Sequence, residues 1–189
     1  YMFILICLQE DFDKYDFTEF EKVIGHNSYD VVILDDVTEG AAQTVLTAKD
    51  LINDDTPLMT MNSDQLVDWD VEKMFEIAEH YDALIPCFYG EGNAWSYARC
   101  GQDGYVEEVA EKKQISEYAT AGYYYWSKGS DFVKYAEQMI EDNSRTNGEF
   151  YVAPVYNWAI KDGKKIGVFM VDKLHSLGTP EDLKEYLNG

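Results

Sequence analysis

Pro57-Leu58-Met59-Thr60-Met61-Asn62-Ser63-Asp64-Gln65 decides how this chain is read. A short apolar run of strand length stops at a lone carboxylate. In an open α/β sheet the carboxyl ends of the strands face the crevice where ligands sit. A carboxylate in that place can hold a metal ion. Asp64 could equally close a local turn or cap the helix that starts near Val71, both common uses of aspartate.

Working upstream, residues 2–8 form an apolar, β-rich run. Residues 16–24 carry Phe17, Phe20 and Ile24 at helical spacing and stop at Gly25, a good residue to end a helix. Residues 30–34 form a second strand. Residues 41–52 form a second helix, with Val45, Ala48 and Ile52 on one face. Strand, helix, strand, helix, strand predicts a parallel sheet with right-handed crossovers, the strands at 2–8, 30–34 and 57–61 lying side by side.

Downstream, Val71, Met74, Phe75 and Ala78 line one face of a helix over 71–80. A strand over 83–88 contains Pro86, which indicates a bulge or a sheet edge. The texture then changes. Residues 96–100 and 105–109 read as a hairpin about the Gly101–Gly104 turn, and residues 119–126 are aromatic and β-rich. Phe132, Tyr135, Ala136, Met139 and Ile140 form the stripe of a helix from Ser130. A helix over 150–161 is stopped by Gly163, and a strand follows at 166–171. Thr179-Pro180 opens a last helix, with a capping hydroxyl and proline at the first position. The expectation is one α/β domain with a Rossmann-like, mostly parallel sheet and a small antiparallel insertion at about 95–126.

Composition narrows the partners. The chain has 189 residues, 46% apolar and 27% charged, with a formal net charge of −21. So acidic a surface argues against a nucleic-acid partner and against an anionic membrane. A triphosphate could still bind through a local cation cluster or a divalent metal. Cys7, Cys87 and Cys100 are scattered and read as the reduced thiols of a cytoplasmic protein. His26, His80 and His175 lie far apart in sequence, which argues against zinc. The apolar opening lacks a basic leader and runs straight into Gln9-Glu10-Asp11, so it reads as a strand and not a signal peptide.

Four segments carry a family resemblance: Thr38-Glu39-Gly40-Ala41-Ala42-Gln43-Thr44, Asn62-Ser63-Asp64-Gln65, Val109-Ala110-Glu111-Lys112-Lys113 and Leu177-Gly178-Thr179-Pro180-Glu181-Asp182-Leu183. In this order and at these spacings the chain resembles the sugar-phosphate nucleotidyltransferases, from about Met2 to the C-terminus. The resemblance implies the nucleotide-diphospho-sugar transferase type of fold. It also implies Mg²⁺-dependent nucleotidyl transfer from a nucleoside triphosphate to a sugar phosphate, of the kind that feeds capsule polysaccharide synthesis. In that scheme Asp64 is the catalytic Mg²⁺ ligand and Lys112 the catalytic lysine on the acceptor phosphate. Glu111 faces the sugar hydroxyls, Gly40, Ala41 and Gln43 hold the base, and Asn62, Gly122 and Glu149 line the substrate.

Each residue also has a plainer reading. A lysine after a hairpin strand can meet a phosphate as a point charge, or Glu111-Lys112 can be an exposed ion pair. Small residues at a helix start let a ligand approach, or let two elements pack closely. Gln43 offers both a donor and an acceptor. Trp95, Tyr97, Tyr123 and Tyr125 suit a sugar site or a core.

The chain departs from the family pattern in three places. Lys113 stands where a proline follows the Glu-Lys pair, making Lys113 the understudy to Lys112. Ser176 stands where the family has a second metal-binding aspartate, for which Asp172 or Glu149 could substitute. No Gly-rich loop occurs before Gly25. The expectation is therefore an N-terminally incomplete domain, without its triphosphate cradle, inactive alone and prone to self-associate as a homo-oligomer. Two alternatives stand beside the enzyme: a non-catalytic nucleotide- or sugar-phosphate-binding homologue, and a glycosyltransferase of related fold. The latter needs a second acid beside Asp64, and Asp68 and Asp70 are displaced from it.

Overall fold

The computed structural model describes residues 1–16, 18–24 and 28–188. Phe17, Gly25 and His26, three residues of the sequence reading, lie outside the described residues. Strand β1 (Phe3–Leu8) leads into α1 (Gln9–Lys14) and α2 (Thr18–Ile24), then β2 (Tyr29–Leu34). β1 and β2 pair in parallel, Phe3 opposite Tyr29 through Leu8 opposite Leu34, as a two-stranded sheet. The expected neighbour β3 (Leu58–Met61) does not join them. It pairs antiparallel with β9 (Tyr123–Trp126) instead.

The main sheet has seven strands. At its centre is β5 (Ala83–Tyr89), with β10 (Ile166–Met170) parallel on one edge. On the other edge run β8 (Tyr118–Thr120) and β9, both antiparallel to β5 and in effect one bent strand. β3 lines the far side of β9, while β6 (Ser96–Cys100) lines the far side of β8 and pairs onward with β7 (Val106–Glu111). Residues 95–126 thus supply four antiparallel-paired strands of the main sheet. Among the described residues parallel pairing is confined to β1–β2 and β5–β10, and the other ladders are antiparallel.

Pro86 explains the bend. It sits in the central strand, not at an edge, and its carbonyl accepts the Ala121 N–H at 2.8 Å. The missing proline N–H therefore falls opposite residues 121–122, where the ladder between β8 and β9 is interrupted. There the C-terminal end of β3 and the N-terminal end of β6 diverge from the same bent strand.

Helices cover both faces. On one, Tyr124 and Trp126 meet α6 (Gly129–Glu141) and α7 (Tyr156–Lys161), with Trp126 stacked on Tyr156 at 4.4 Å. The predicted α6 stripe is buried, Phe132, Tyr135, Ala136 and Met139 fully so. On the other face Tyr123 and Tyr125 meet Met74 and Ala78 of α5 (Val71–Ala78). Alternate side chains of one strand feeding two cores is what a sheet buried on both faces requires.

Two predicted helices are shorter than their patterns. Residues 41–52 split into α3 (Ala41–Leu46) and α4 (Lys49–Ile52), because Thr47 and Ala48 donate to carbonyls three residues back and tighten the last turn. Residues 150–152 are not helical, since Phe150 pairs its backbone with Glu39 and Ala42. A 3₁₀ turn at Ala153–Val155 then leads into α7. The chain ends with β11 (Lys173–Ser176), antiparallel to β4 (Gln65–Asp68), and α8 (Pro180–Asn188). The predicted cap is present: the Asp182 N–H donates to Thr179 Oγ1. Among the described residues no helix is long and apolar enough to cross a membrane.

Candidate active site

Asp64 lies exposed in the tight turn between β3 and β4. It does not cap α5; Asp70 does, accepting the Lys73 N–H at 3.0 Å. Its backbone carbonyl accepts the Leu177 N–H at 2.7 Å. Its carboxylate lies so close to Gly178 that a Cβ there would come within 2.9 Å of Asp64 Oδ2. The segments Asn62–Gln65 and Leu177–Asp182, far apart in sequence, are thus packed against each other.

Asn62 and Gly122 join them. The Asn62 N–H donates to the Gly122 carbonyl, and Asn62 Nδ2 donates to Gln65 Oε1 at 3.0 Å. Gly122 has φ of +77°, and a Cβ there would fall 1.5 Å from Gln65 Oε1. The bend opposite Pro86 therefore needs glycine for conformation and for space.

A second group gathers at the end of β7. Glu111 is opposite Ser96, and the Ser96 hydroxyl donates to Glu111 Oε2. Burial raises the Glu111 pKa; the Ser96 hydrogen bond and Lys112 pull it down, and Glu149 pushes it up. Lys112 has φ of +54°, a conformation uncommon outside glycine that marks a position held by its surroundings. Its N–H donates to the Trp95 carbonyl at 3.0 Å, and its ammonium lies 5.8 Å from the centre of the Tyr151 ring. Lys113 is exposed in the following bend. Glu149 in turn interacts with Tyr151, whose hydroxyl is pushed to a higher pKa by burial first and Glu149 second. Glu111, Lys112 and Glu149, all read from sequence, are thus brought together, and Ser96 and Tyr151 join them.

The third group is Gly40, Ala41 and Gln43. Gly40 (φ +139°) has no room for a side chain, because a Cβ would fall 2.4 Å from the Phe150 backbone nitrogen. Phe150 donates to the Glu39 carbonyl and accepts from the Ala42 N–H, both at 2.9 Å. The smallness of this turn therefore admits Phe150. Gln43 Oε1 accepts the Glu39 N–H at 2.7 Å, which leaves its amide NH₂ as the group to offer a ligand. Arg145, which the sequence did not single out, ties the pieces: it donates to Glu39 Oε2 and the Gly148 carbonyl and covers the Phe150 ring at 3.9 Å.

A cavity of about 450 Å³ is walled by Phe88, Tyr89 and Trp95 on one side and by residues 171–174 and Ser176 on the other; Phe88, Val171 and Leu174 put it on the α5 face of the sheet, opposite the face that carries Val109 and Tyr124. Tyr97, Tyr123 and Tyr125 are core residues, so of the four aromatics considered only Trp95 faces this space.

The missing second aspartate has a neighbour. Ser176 is opposite Gln65, and its hydroxyl donates to Asp182 Oδ2 at 3.3 Å. Asp172 instead lies on the cavity wall, its N–H donating to the Asp68 carbonyl, and Glu149 belongs to the Glu111 group. Among the described residues no three acidic, histidine or cysteine side chains are clustered to hold a metal. A single exposed carboxylate still suits Mg²⁺, which keeps most of its waters and is commonly held by one or two carboxylates plus substrate phosphates.

Residues 4–187 match the profile described as nucleotidyl transferase. The chain belongs to that family. The match takes in all four sequence segments and every residue of the three groups. Solved structures agree on the fold. A nucleoside-diphosphate-sugar pyrophosphorylase from Vibrio cholerae superposes with a TM-score of 0.81 at 23% identity, over 100% of this chain and 81% of its own. A UDP-glucose pyrophosphorylase solved with UDP-glucose gives 0.75 at 15% identity, over 98% of this chain and 80% of its own. No curated relative matches the sequence.

Proposed function

We propose that this nucleotidyltransferase moves a nucleotidyl group from a nucleoside triphosphate to a sugar phosphate, giving a nucleotide-sugar of the sort used for surface polysaccharide. The observation that carries the reading is the clustering of Glu111, Lys112, Glu149 and Tyr151. A phosphate and a ring of hydroxyls need a cation beside carboxylates, and Lys112 with Glu111 and Glu149 supplies both.

In this scheme the acceptor sugar lies beside Glu111 and Glu149, which accept its hydroxyls. The Lys112 ammonium holds its phosphate and offsets the repulsion between two anions. Gln43 donates to the base, and the exposed Ala41 beside it leaves room for the ring. An acceptor phosphate oxygen attacks the α-phosphorus in line; that P–O bond forms as the bond to the bridging oxygen breaks, and pyrophosphate leaves with the electron pair. Asp64 would hold Mg²⁺, which supplies charge neutralisation on the phosphates when bound. No side chain becomes covalently attached, so the protein's share is positioning.

The test is pyrophosphate release from the protein extended at its N-terminus by a strand and Gly-rich loop of the family type, mixed with nucleoside triphosphates, hexose 1-phosphates and Mg²⁺; residues 1–189 alone should release little. Release that needs all three components, and falls at least a hundredfold in Lys112→Ala, supports the proposal. Release without an acceptor, or full activity in Lys112→Ala, overturns it.

A further inference from the structure

Aside from tyrosine, tryptophan and cysteine, three polar side chains are buried among the described residues: Thr60, Ser96 and Thr120. Two of them belong to one run of hydroxyls. Thr120 Oγ1 lies 3.1 Å from the buried Tyr124 hydroxyl. Tyr124 also interacts with Ser96, and Ser96 donates to Glu111 Oε2. These residues come from three strands, β8, β9 and β6, and the run ends at the carboxylate on β7.

The carboxylate fixes the direction of every bond. When ionised it can only accept, so Ser96 gives it the proton and keeps its lone pairs for Tyr124. Tyr124 in turn accepts from Thr120. All three O–H dipoles then point toward one carboxylate oxygen, and such chains strengthen cooperatively in a dry interior. Burial drives the Tyr124 pKa up to about 12, so it stays a neutral donor.

We infer that Thr120, Tyr124 and Ser96 are a positioning chain that holds Glu111 ionised and in one orientation, leaving its other oxygen to accept a substrate hydroxyl. The inference rests on the proposed role of Glu111 at the acceptor. The groups facing Glu111 are Ser96 on β6, Tyr124 on β9, Lys112 on its own segment, and Glu149 with Tyr151 from the loop after α6. Burial and Glu149 favour the protonated acid; Ser96 and Lys112 oppose them. Protonation would turn an acceptor oxygen into a donor and spoil the fit to a hydroxyl.

The experiment uses Ser96→Ala and Tyr124→Phe, which delete hydroxyls at nearly constant shape, and Ser96→Thr, which restores one. The Glu111 carboxyl carbon is titrated by NMR, and glucose 1-phosphate is the binding probe. The expected result is a Glu111 pKa raised in Ser96→Ala and Tyr124→Phe and returned toward wild type in Ser96→Thr. Loss of a hydrogen bond to a charged group should also weaken probe binding by about tenfold. A Glu111 titration unchanged in the two deletion variants, with melting temperatures near wild type, overturns the chain. So does a shifted titration with unchanged probe binding, provided Glu111→Gln weakens it. If Glu111→Gln leaves probe binding unchanged, the proposed acceptor site fails first, and the chain falls with it for a different reason. Should a deletion variant fail to fold, the other and Thr120→Val carry the same comparison.

Discussion

Alanine at Gly40 offers the sharpest check on how the site is assembled. Gly40 has φ of +139° and ψ of 166°, a region essentially reserved for glycine, and holding alanine there costs about 1–3 kcal/mol. The new Cβ would also fall 2.4–2.8 Å from the backbone N, O and C of Phe150, atoms that cannot swing aside. Separating them breaks the two hydrogen bonds joining Phe150 to Glu39 and Ala42, worth about 1 kcal/mol each. The sum is about 3–5 kcal/mol. Gly104 is the control, since it has φ of +83° with nothing within 4 Å of its Cβ. Gly104→Ala should therefore cost only the conformational part, about 1–2 kcal/mol. Urea titration of the two variants should show Gly40→Ala less stable by about 2 kcal/mol, or about 4–8 °C in melting temperature for a chain of this size. Equal losses in the two variants would mean that Phe150 does not press on Gly40, and that the third group is not built as described.

Other outcomes follow from the same geometry. Asp64→Asn should leave the melting temperature nearly unchanged, because the residue is exposed and caps nothing, while abolishing pyrophosphate release by the extended protein; Asp70→Ala should do the reverse, losing about 1 kcal/mol of stability as a cap with turnover retained. A variant of Asp64 that unfolds would show that its role is structural. Because burial raises the Glu111 pKa, the native state binds more protons than the unfolded chain between the ordinary glutamate value and the raised one, so stability should fall as pH rises through that window. Glu111→Gln should flatten that slope, and denaturation midpoints measured across the window would read it. Amides of β1 and β2 should exchange with solvent faster than those of β5, since a two-stranded sheet is weakly held while β5 is paired on both edges.

Local pattern alone determined much of this protein. The stripe on α6, the cap on α8, the strand ending near Asp64 and the segment Glu111-Lys112 are set by spacing and residue type, which act over a few residues. The family followed from four such segments in order. Tertiary structure decided how those segments meet. If the β6–β7 hairpin ran without interruption from Cys100 opposite Val106, Ala110 would lie opposite Ser96. A register shift between Arg99 and Cys100 puts Glu111 there instead. One extra residue moves every following side chain to the other face, so this bulge is what turns the carboxylate toward the hydroxyl chain. The same holds for Pro86, readable as a sheet edge yet set in the central strand, because the ladder breaks opposite it. The small turn at Gly40, readable as room for a ligand, is filled by Phe150. In each case the deciding contact lies between residues far apart along the chain, and periodicity reports nothing about those.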